Sequence, residues 1–415
     1  MAARAWAGAG ALGAGWRALR GGAGRARGAG AGPGPGAGAG AGAGAEPGGP
    51  RGGGAGARRP GARGLAGGAA VPPPRALGYS EHGPPEEVLR LVPAGASSGA
   101  GPPGPGEVAV RMLAAPVNPS DLNVVEGVYP LKPRPPEEAA PVTGGSEGVG
   151  VVEALGAGAG AGGLSPGDWV VPAVPNLGTW ADRLVCRPED LLRAPSDLPA
   201  ETLATLLVNP STALRMLEDF VDLRPGDTVV QNGATSAVGQ AVIQLCRERG
   251  VRTVNIVRDR PGALAEVARL KSLGATVVTT EKNARTDAAG LPPPRLGLNC
   301  VGGSSAQVVG RLLGRGATMV TYGAMSRRPV TMPTALLIFK DVTVRGFWFS
   351  GRWTQEHGRK GREEMMRELL PLVRSGSLVL KPHRAVPLAE AEGVFRARGW
   401  EGDRKLLLTM GGGEV

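Results

Sequence analysis

The feature that most constrains the fold is a strand-helix-strand pattern across residues 227–260. A β-branched run from Thr228 to Val230 predicts a short buried strand of a parallel sheet. A loop of small residues, Asn232 to Gly239, is followed by an apolar-periodic helix that Gly250 ends, and Arg252 to Val257 predicts the second strand. In such a unit the first turn places a helix N-terminus where a dinucleotide pyrophosphate binds.

The loop of this unit matches the G-x-G-x-x-G fingerprint of dinucleotide sites only in part. Gly233 suits the tight turn and Gly239 permits close contact between helix and strand, but Ala237 stands where the middle glycine is expected. The loop alone therefore leaves open an ordinary strand-to-helix connection.

The end of the second strand indicates which dinucleotide is bound. An NAD site usually has an acidic residue there for the ribose 2′-hydroxyl, whereas this chain has Arg258 and Arg260 around Asp259. Two guanidinium groups can hold a 2′-phosphate, which a carboxylate would repel. The alternative is a pair of solvated surface arginines. At this strand end the sequence favours NADPH.

The net charge of +11 is concentrated at the beginning of the 415-residue chain. Residues 1–70 contain nine arginines and one acid, a net charge of +8, which leaves +3 for the other 345 residues. A nearly balanced body with a basic leader does not have the charge distribution of a nucleic-acid-binding surface. We therefore expect no nucleic-acid partner.

The leader is expected to be disordered, because it is dominated by glycine, alanine and proline. Its first 20 residues combine three arginines and no acid with a few large apolar side chains, namely Trp6, Leu12, Trp16 and Leu19. This composition resembles a mitochondrial presequence, although it lacks the usual serines. The alternative is low-complexity sequence without a role. We expect import into the mitochondrial matrix and no membrane-spanning segment.

The cysteines and histidines do not form a metal-binding or disulfide pattern. The chain has three of each, widely separated: Cys186, Cys246, Cys300, His82, His357 and His383. No pair has the spacing of metal ligands, and the cysteines suit buried thiols in a reducing compartment. We therefore expect no metal site.

Between the leader and the tail, the strand pattern changes twice. Short strands separated by Pro/Gly turns occupy the first part of the folded body, strands alternate with helices after about residue 200, and short strands return near the end. The simplest fold is α/β, with a doubly wound Rossmann domain inserted into a β-rich domain. The predicted boundaries are 1–70 for the leader, 71–198 and 350–415 for the β-rich domain, and 199–349 for the Rossmann domain.

Several sequence blocks resemble those of the medium-chain dehydrogenase/reductase superfamily. In order they are Pro116-Val117-Asn118-Pro119-Ser120-Asp121, Gly144-Gly145-Ser146-Glu147-Gly148, Pro166-Gly167-Asp168-Trp169-Val170, Gly178-Thr179-Trp180, Val257-Arg258-Asp259-Arg260, Tyr322-Gly323 and Arg345-Gly346-Phe347-Trp348. The resemblance is to the zinc-free, quinone oxidoreductase-like branch that includes the mitochondrial trans-2-enoyl-CoA reductases. It implies a GroES-like catalytic domain and NADPH-dependent reduction of 2-enoyl thioesters in fatty-acid synthesis.

The absence of zinc ligands agrees with that chemistry. Zinc-dependent members of the superfamily use a thiolate and an imidazole in the small domain, but the stretch Gly145-Ser146-Glu147-Gly148 has no histidine and no cysteine precedes Cys186. Without a Lewis acid, alcohol oxidation is disfavoured. Reduction of a C=C bond conjugated to a carbonyl needs only hydride at the β-carbon, support for the enolate and a weak acid.

The resemblance also implies roles for individual residues. Tyr129 is the expected acid; a tyrosine that only packs in its loop is the alternative. The residues expected at the cofactor are Asn209, Thr235, Ser236, Ala237, Val238, Arg258, Asp259, Arg260, Tyr322, Gly323, Ala324, Met325, Phe347, Trp348, Phe349 and Lys405. Asn209 has a helix cap as its alternative role, and ordinary core packing is the alternative for the apolar members, Met325 and Phe349 above all.

Two departures from the resembled family bear on the substrate. The segment from Lys132 to Pro141 is longer and rich in proline, which makes the position of Tyr129 less certain than its identity. Leu207 stands where the family tends to have glycine, and its bulk is expected to narrow the acyl channel.

Other functions and partners remain open at this point. A quinone reductase has the same fold. Leu203 to Leu207 has the L-x-x-L-L form of a helix that docks in a receptor groove, but leucines at this spacing more often form the inward face of a helix. An acidic carrier protein or coenzyme A is expected to meet basic residues at the cleft rim, with Arg352, Arg359, Lys360 and Arg362 as candidates. A solvated helix face is the alternative for these four residues. An edge strand over Val342 to Phe349 predicts a homodimer through its open hydrogen bonds.

Overall fold

The computed structural model describes residues 73–95, 101–133, 140–260, 263–400 and 404–411. The predicted leader and its presequence lie outside these residues, as does most of the lengthened segment after Tyr129. No helix within the described ranges has the length and apolar character needed to cross a bilayer.

The described part of the chain contains sixteen strands. They are β1 (Arg75–Tyr79), β2 (Arg90–Pro93), β3 (Val108–Pro116), β4 (Val142–Thr143), β5 (Val149–Leu155), β6 (Trp169–Pro172), β7 (Arg183–Cys186), β8 (Leu191–Ala194), β9 (Thr228–Gln231), β10 (Arg252–Val257), β11 (Val277–Thr280), β12 (Leu296–Asn299), β13 (Thr318–Thr321), β14 (Thr343–Gly346), β15 (His383–Pro387) and β16 (Lys405–Thr409).

Eleven α-helices are described alongside them. They are α1 (Pro85–Val88), α2 (Pro119–Val125), α3 (Ala200–Ala204), α4 (Asn209–Glu218), α5 (Ala237–Glu248), α6 (Ala263–Ser272), α7 (Ala284–Asp287), α8 (Gly303–Leu312), α9 (Thr334–Lys340), α10 (Thr354–Arg374) and α11 (Ala391–Arg396). A five-residue π-helix, Phe349–Trp353, leads directly into α10.

The six strands from β9 to β14 form a parallel sheet in the order β11-β10-β9-β12-β13-β14. This is the order of a doubly wound dinucleotide fold, in which the chain reverses direction across the sheet between β9 and β12. Val229, Val230, Leu298 and Val320 are fully buried in these strands. Burial on both faces explains why they read as apolar runs and not as alternating patterns.

The second large sheet joins two distant parts of the chain. Its order is β15-β16-β3-β5-β6-β8, with β7 also paired to β3. Strands β15 and β16 come after the parallel sheet in sequence, and β16 pairs with β3, which comes before it. The parallel-sheet domain is therefore inserted into the β-rich domain, and the predicted fold class is confirmed.

Several predicted strand ends are shifted by one to three residues. The alternating sequence of Glu107 to Leu113 predicts a strand that in the structure runs to Pro116, and the strand that the sequence predicts over Ala181 to Cys186 begins at Arg183. Strand β3 extends because Pro116 pairs with Leu407, and no local pattern predicts that partner. The three-stranded sheet β2-β1-β4 was not predicted, since its short strands are joined across long sequence separations.

The leucines of the L-x-x-L-L segment face the core. Leu203 and Leu206 are each 1% exposed, and Leu207 is 3% exposed. Only Leu203 belongs to α3, and Leu206 and Leu207 lie in the turn after it, so leucines buried in this way can enter a partner's groove only after local unfolding. The docking interpretation is therefore wrong for the folded chain.

Candidate active site

The loop after β9 has little room for side chains larger than those it carries. Gly233 has a φ of +59°, and a Cβ at that position would lie 2.4 Å from the Cys300 Sγ. A Cβ at Gly239 would lie 2.6 Å from the Ala234 carbonyl oxygen. Both glycines are therefore needed, one for the turn and the other for helix-strand contact.

Helix α5 begins earlier than the sequence pattern indicated. Ala237 is its first residue, and the Ser236 hydroxyl caps it by accepting a hydrogen bond from the Gly239 N–H at 3.0 Å. The loop predicted to continue to Gly239 therefore ends at Ser236, because that serine supplies a cap which the glycine pattern alone does not reveal. Thr235 and Ser236 lie in the turn, and Ala237 and Val238 form the first turn of the helix.

Arg258 to Arg260 follow directly after β10, the strand next to β9 in the sheet. Arg258 and Asp259 are exposed, and Arg260 is partly buried. The Arg260 Nη2 donates to the Glu266 Oε1 at 2.6 Å, and the Lys282 Nζ lies 3.7 Å from the Asp259 Oδ2. Since β9 and β10 are parallel, both guanidinium groups follow the same sheet edge as the glycine loop, as an NADPH site requires.

Tyr129 is held by two side chains from the segment after β14. The Trp348 Nε1 donates a hydrogen bond to the Tyr129 Oη at 2.7 Å, and the Ser350 Oγ lies 2.9 Å from the same oxygen. The Trp348 ring meets the tyrosine ring edge-on, with centroids 5.8 Å apart. The Tyr129 N–H donates to the Asn123 carbonyl in α2. The phenol is thus fixed at its backbone and at its hydroxyl.

A polar network lies close to this tyrosine and centres on Asn118. The Asn118 Oδ1 accepts hydrogen bonds from the Lys405 Nζ at 2.8 Å and from the Asn209 Nδ2 at 3.0 Å. The Asn118 Nδ2 donates to the Glu147 Oε2 at 3.0 Å, and the Glu147 Oε1 accepts from the Val208 N–H at 2.9 Å. The structure therefore brings Asn209 and Lys405 together at Asn118, and their contacts with a cofactor stay predictions.

The network lies between two cavities. Asn209 and Lys405 line one of them together with Ala237 of the glycine loop's helix. Asn118 and Val208 line the other together with Tyr129, Ser350 and Arg362. Residues that bridge the two cavities can connect a bound dinucleotide to the tyrosine.

Burial sets the electrostatics of this network. Desolvation lowers the pKa of Lys405, which the negative charges of Glu147 and Asp121 oppose. Burial raises the pKa of Asp121 to about 6 and lowers the pKa of Arg362 to about 10. Sequence reasoning did not identify Asn118, Asp121 or Glu147 as site residues. The sequence feature that could have indicated them is the presence of two acids and an amide, Asp121, Glu147 and Asn118, in two Gly/Pro-bounded turns of an otherwise apolar domain.

The chain matches two family models over most of the described body. "Alcohol dehydrogenase GroES-like domain" covers residues 104–195, and "Zinc-binding dehydrogenase" covers residues 237–372. It is also 46% identical over 318 residues to the mitochondrial enoyl-acyl-carrier-protein reductase of Xenopus tropicalis, which covers 75% of this chain and 87% of that protein. The chain belongs to the mitochondrial enoyl-acyl-carrier-protein reductase family.

Solved structures agree with that membership. The mitochondrial 2-enoyl thioester reductase Etr1p/Etr2p heterodimer from Candida tropicalis aligns with a TM-score of 0.72 at 32% identity, over 82% of this chain and 100% of that chain. The complex of Etr1p with NADP and crotonyl-CoA aligns with a TM-score of 0.72 at 31% identity, over 81% and 99%.

The residues of this enoyl reductase family member do not fit a zinc ion. Both carboxylate oxygens of Glu147 already accept hydrogen bonds, and the neighbouring positions carry no histidine or cysteine. In the ranges that the structure describes, no three His, Cys, Asp or Glu residues gather as a metal site would require. The zinc in the name of the matched model therefore has no ligand set here.

The residues after β13 and β14 divide between surface and core. Tyr322 and Gly323 are partly buried, Ala324 is exposed, and Met325 is 62% exposed, so the core alternative for Met325 is wrong. Phe349 is 5% exposed and packs in the main core, which is the alternative considered for it. Phe347 is partly buried and Trp348 contacts Tyr129. Their contacts with a cofactor stay predictions.

One of the four basic rim candidates is placed elsewhere. Arg362 is 2% exposed and lines the tyrosine cavity, so its assignment to the rim is wrong. The helix face that holds it also carries the buried Met365 and Leu369. The other three candidates are exposed, and two of them, Arg352 and Arg359, form ion pairs within the helical segment.

Proposed function

We propose that this chain reduces the 2,3 double bond of trans-2-enoyl thioesters with NADPH, giving saturated acyl thioesters for mitochondrial fatty-acid synthesis. The observation that carries the proposal is the Tyr129 hydroxyl, fixed by Trp348 and Ser350 beside a cavity. The family supports it, since its members at 45–47% identity are named enoyl reductases.

Tyr129 is the proposed proton donor to the α-carbon. When bound, NADPH supplies the hydride for the β-carbon. The Trp348 N–H donates a hydrogen bond to the phenol oxygen of Tyr129. This hydrogen bond stabilises the negative charge that develops on the oxygen as the proton leaves. The hydrogen bond with Ser350 keeps the same oxygen from rotating away from the cavity.

The remaining residues are proposed to hold the dinucleotide. Thr235, Ser236, Ala237 and Val238 would meet the pyrophosphate at the N-terminus of α5, and Arg258 and Arg260 would clamp the 2′-phosphate. Asp259 accompanies them at the strand end. Asn209, Tyr322, Gly323, Ala324, Met325, Phe347, Trp348, Phe349 and Lys405 would line the nicotinamide side.

The direct test is NADPH oxidation with crotonyl-CoA, measured beside a quinone and beside NADH. The proposal expects rapid oxidation with crotonyl-CoA and NADPH, a product saturated at C2–C3, and far slower oxidation with NADH. Turnover of the quinone alone would establish the sister activity, for which the same fold also suffices.

We propose acyl-carrier-protein thioesters in the mitochondrial matrix as the natural substrates. The names of the relatives support both points, and the basic leader supports import. Comparing kcat/KM for the crotonyl group on carrier protein and on coenzyme A tests the first point. A fluorescent fusion of the full chain, beside one lacking residues 1–70, tests the second. If kcat/KM for the crotonyl group on carrier protein is no higher than on coenzyme A, the proposal that carrier-protein thioesters are the natural substrates is wrong.

We further propose a homodimer built on β14. This strand ends the parallel sheet, pairs only with β13 among the described strands and is exposed along its whole length. Large apolar side chains lie exposed in it and in α9: Leu337, Ile338, Phe339 and Val344. An open strand edge beside an apolar surface is the kind of feature that a two-fold partner covers. The related Candida reductase is itself a heterodimer.

Changing Ile338 and Phe339 to glutamate is expected to convert the dimer to a monomer, because both side chains are about two-thirds exposed, at 65% and 68%. Light scattering measures the mass. Leu264→Glu is the matched control, since Leu264 is 85% exposed on α6. A wild-type chain that is monomeric at micromolar concentration would contradict the proposal.

A further inference from the structure

Glu147 occupies a position that the proposed chemistry does not yet use. It is 3% exposed and lies between β4 and β5 in the β-rich domain. Its two carboxylate oxygens accept hydrogen bonds from different parts of the chain, the Asn118 side chain at 3.0 Å and the Val208 N–H at 2.9 Å. Val208 directly precedes α4, whose first residue is Asn209.

The contacts of Asn118 continue toward the cofactor side. With its amide nitrogen committed to Glu147, its amide oxygen must face the other way, where it accepts from both Lys405 and Asn209. If the Asn118 amide were turned by 180°, its N–H groups would face the Lys405 and Asn209 donors, and no hydrogen bond could form with either. Glu147 thus determines which face Asn118 offers, and it fixes the start of α4 through Val208.

The charge of Glu147 acts on Lys405 as well. The Glu147 Oε2 lies 3.9 Å from the Lys405 Nζ, whose side chain is 9% exposed. A buried ammonium group without a nearby anion tends to lose its proton. The carboxylate therefore helps to keep this lysine charged where Asn209 and Ala237 line the same cavity.

We propose that Glu147 is a positioning residue for the cofactor: through Asn118 it orients Asn209 and Lys405, and through its charge it keeps Lys405 protonated. The inference rests on the proposed cofactor contacts of Asn209 and Lys405. Glu147 itself touches neither substrate nor cofactor in this account.

Other charged groups near Lys405 also affect its pKa, so they determine the pH range and the control variants of the test. Asp121 also favours the charged lysine, whereas His383, paired with Lys405 in the β15–β16 register, opposes it when protonated. Near pH 9 the histidine is neutral and Asp121 is ionised, given its pKa of about 6. Burial also lowers the pKa of Arg362, so a variant lacking Lys405 is needed to assign the alkaline limb to the lysine.

Glu147→Gln is expected to weaken NADPH binding about tenfold, since a glutamine side chain has one acceptor for two donors. It should also move the alkaline limb of kcat/KM for NADPH to lower pH. The sign follows because Glu147 raises the pKa of Lys405, and a close opposite charge shifts a pKa by roughly 1–3 units. Nicotinamide fluorescence gives the Kd, and initial rates between pH 7 and about 10.5 give the profile.

Two control variants make the result specific. Glu153→Gln changes a glutamate on β5 whose partner Arg183 lies on β7, and it should change neither Kd nor profile. In a Lys405→Met background the Glu147 substitution should no longer move the alkaline limb, since the titrating group is gone. Lower thermal stability of Glu147→Gln with wild-type Kd and an unmoved limb would overturn the proposal.

Two further measurements distinguish failure of this proposal from a folding defect and from failure of the proposed reductase function. If Glu147→Gln does not fold, Glu147→Asp retains the charge but shortens the reach, so NADPH affinity should fall while the alkaline limb stays. Wild-type affinity in that variant would overturn the proposal. The fluorescence measurement of NADPH binding needs no turnover. If the wild-type enzyme binds NADPH but does not reduce crotonyl-CoA, the proposed function is wrong, and the effect of the Glu147 substitutions on NADPH binding can still be measured.

Discussion

Replacing Tyr129 with phenylalanine is expected to lower kcat on a 2-enoyl thioester by about 10²–10⁴, the usual contribution of a positioned general acid. The substitution removes the hydroxyl that Trp348 and Ser350 hold and keeps the ring against the Trp348 edge. Some activity should remain, because hydride delivery and enolate stabilisation do not need the phenol and water can protonate the α-carbon.

The measurements that accompany this variant separate catalysis from packing. NADPH affinity should be unchanged, since Tyr129 lines a different cavity from the one that Ala237 of α5 lines. Thermal stability should fall only modestly, by about the 1–3 kcal/mol of an unsatisfied hydrogen-bonding group. A loop residue that only packs would give altered stability or KM with nearly full kcat, and that outcome would remove the catalytic role of Tyr129.

Trp348→Phe is a natural companion variant. It removes the N–H that supports the phenol oxygen but leaves Tyr129 in place. Its kcat should lie between those of the wild type and Tyr129→Phe. The double variant should be no slower than Tyr129→Phe alone, since both substitutions act on the same oxygen.

The parts of the fold predicted correctly are those with a local sequence signal. Thr228 to Val230 and Arg252 to Val257 are strands because they are β-branched runs between turns, and Gly250 stops α5 with a positive φ of +64°. The glycine loop and the two arginines follow at fixed distances along the chain. For this reason the placement of the glycine loop and the two arginines at one sheet edge was predictable.

The polar network around Asn118 and the contacts of Tyr129 depend on pairings that no local pattern contains. Glu147 meets Asn118 across 29 residues, and Lys405 meets Asn118 across 287. Nothing near Glu147 in sequence identifies either partner. The hydrogen bond between Tyr129 and Trp348 spans 219 residues and is likewise not indicated by the sequence around either residue.

The wrong placement of Arg362 has a local cause. Grouping Arg362 with Arg352, Arg359 and Lys360 as rim candidates rests only on the density of basic residues in this segment. The structure has a π-helix over Phe349–Trp353, and Gly358 departs from helical geometry with a φ of +57°. Each irregularity rotates the residues that follow, so Arg362 lies on the buried face with Met365 and Leu369. The density of basic residues in a segment does not show which of them is buried.

Changing both Arg258 and Arg260 to alanine is expected to weaken NADPH binding by about 100-fold or more. Hydrogen bonds to charged groups contribute about 1.5–3 kcal/mol each, and 1.4 kcal/mol corresponds to a factor of ten. NADH has no 2′-phosphate, so its affinity should change little. Arg258 should contribute more than Arg260, because Arg260 already donates to Glu266 and a phosphate must compete with that carboxylate.

Two single substitutions test whether the loss belongs to the 2′-phosphate. Arg252→Ala removes an exposed arginine at the opposite end of the same strand, where it donates to the Gly226 carbonyl, and should leave both cofactors unaffected. Glu266→Gln removes the competing charge and should not weaken NADPH. Equal weakening of NADPH and NADH by the double substitution would mean that the arginines support the fold. A wild-type chain that prefers NADH would instead assign Asp259 to the ribose hydroxyl, since a carboxylate at this strand end accepts from that group and repels a phosphate.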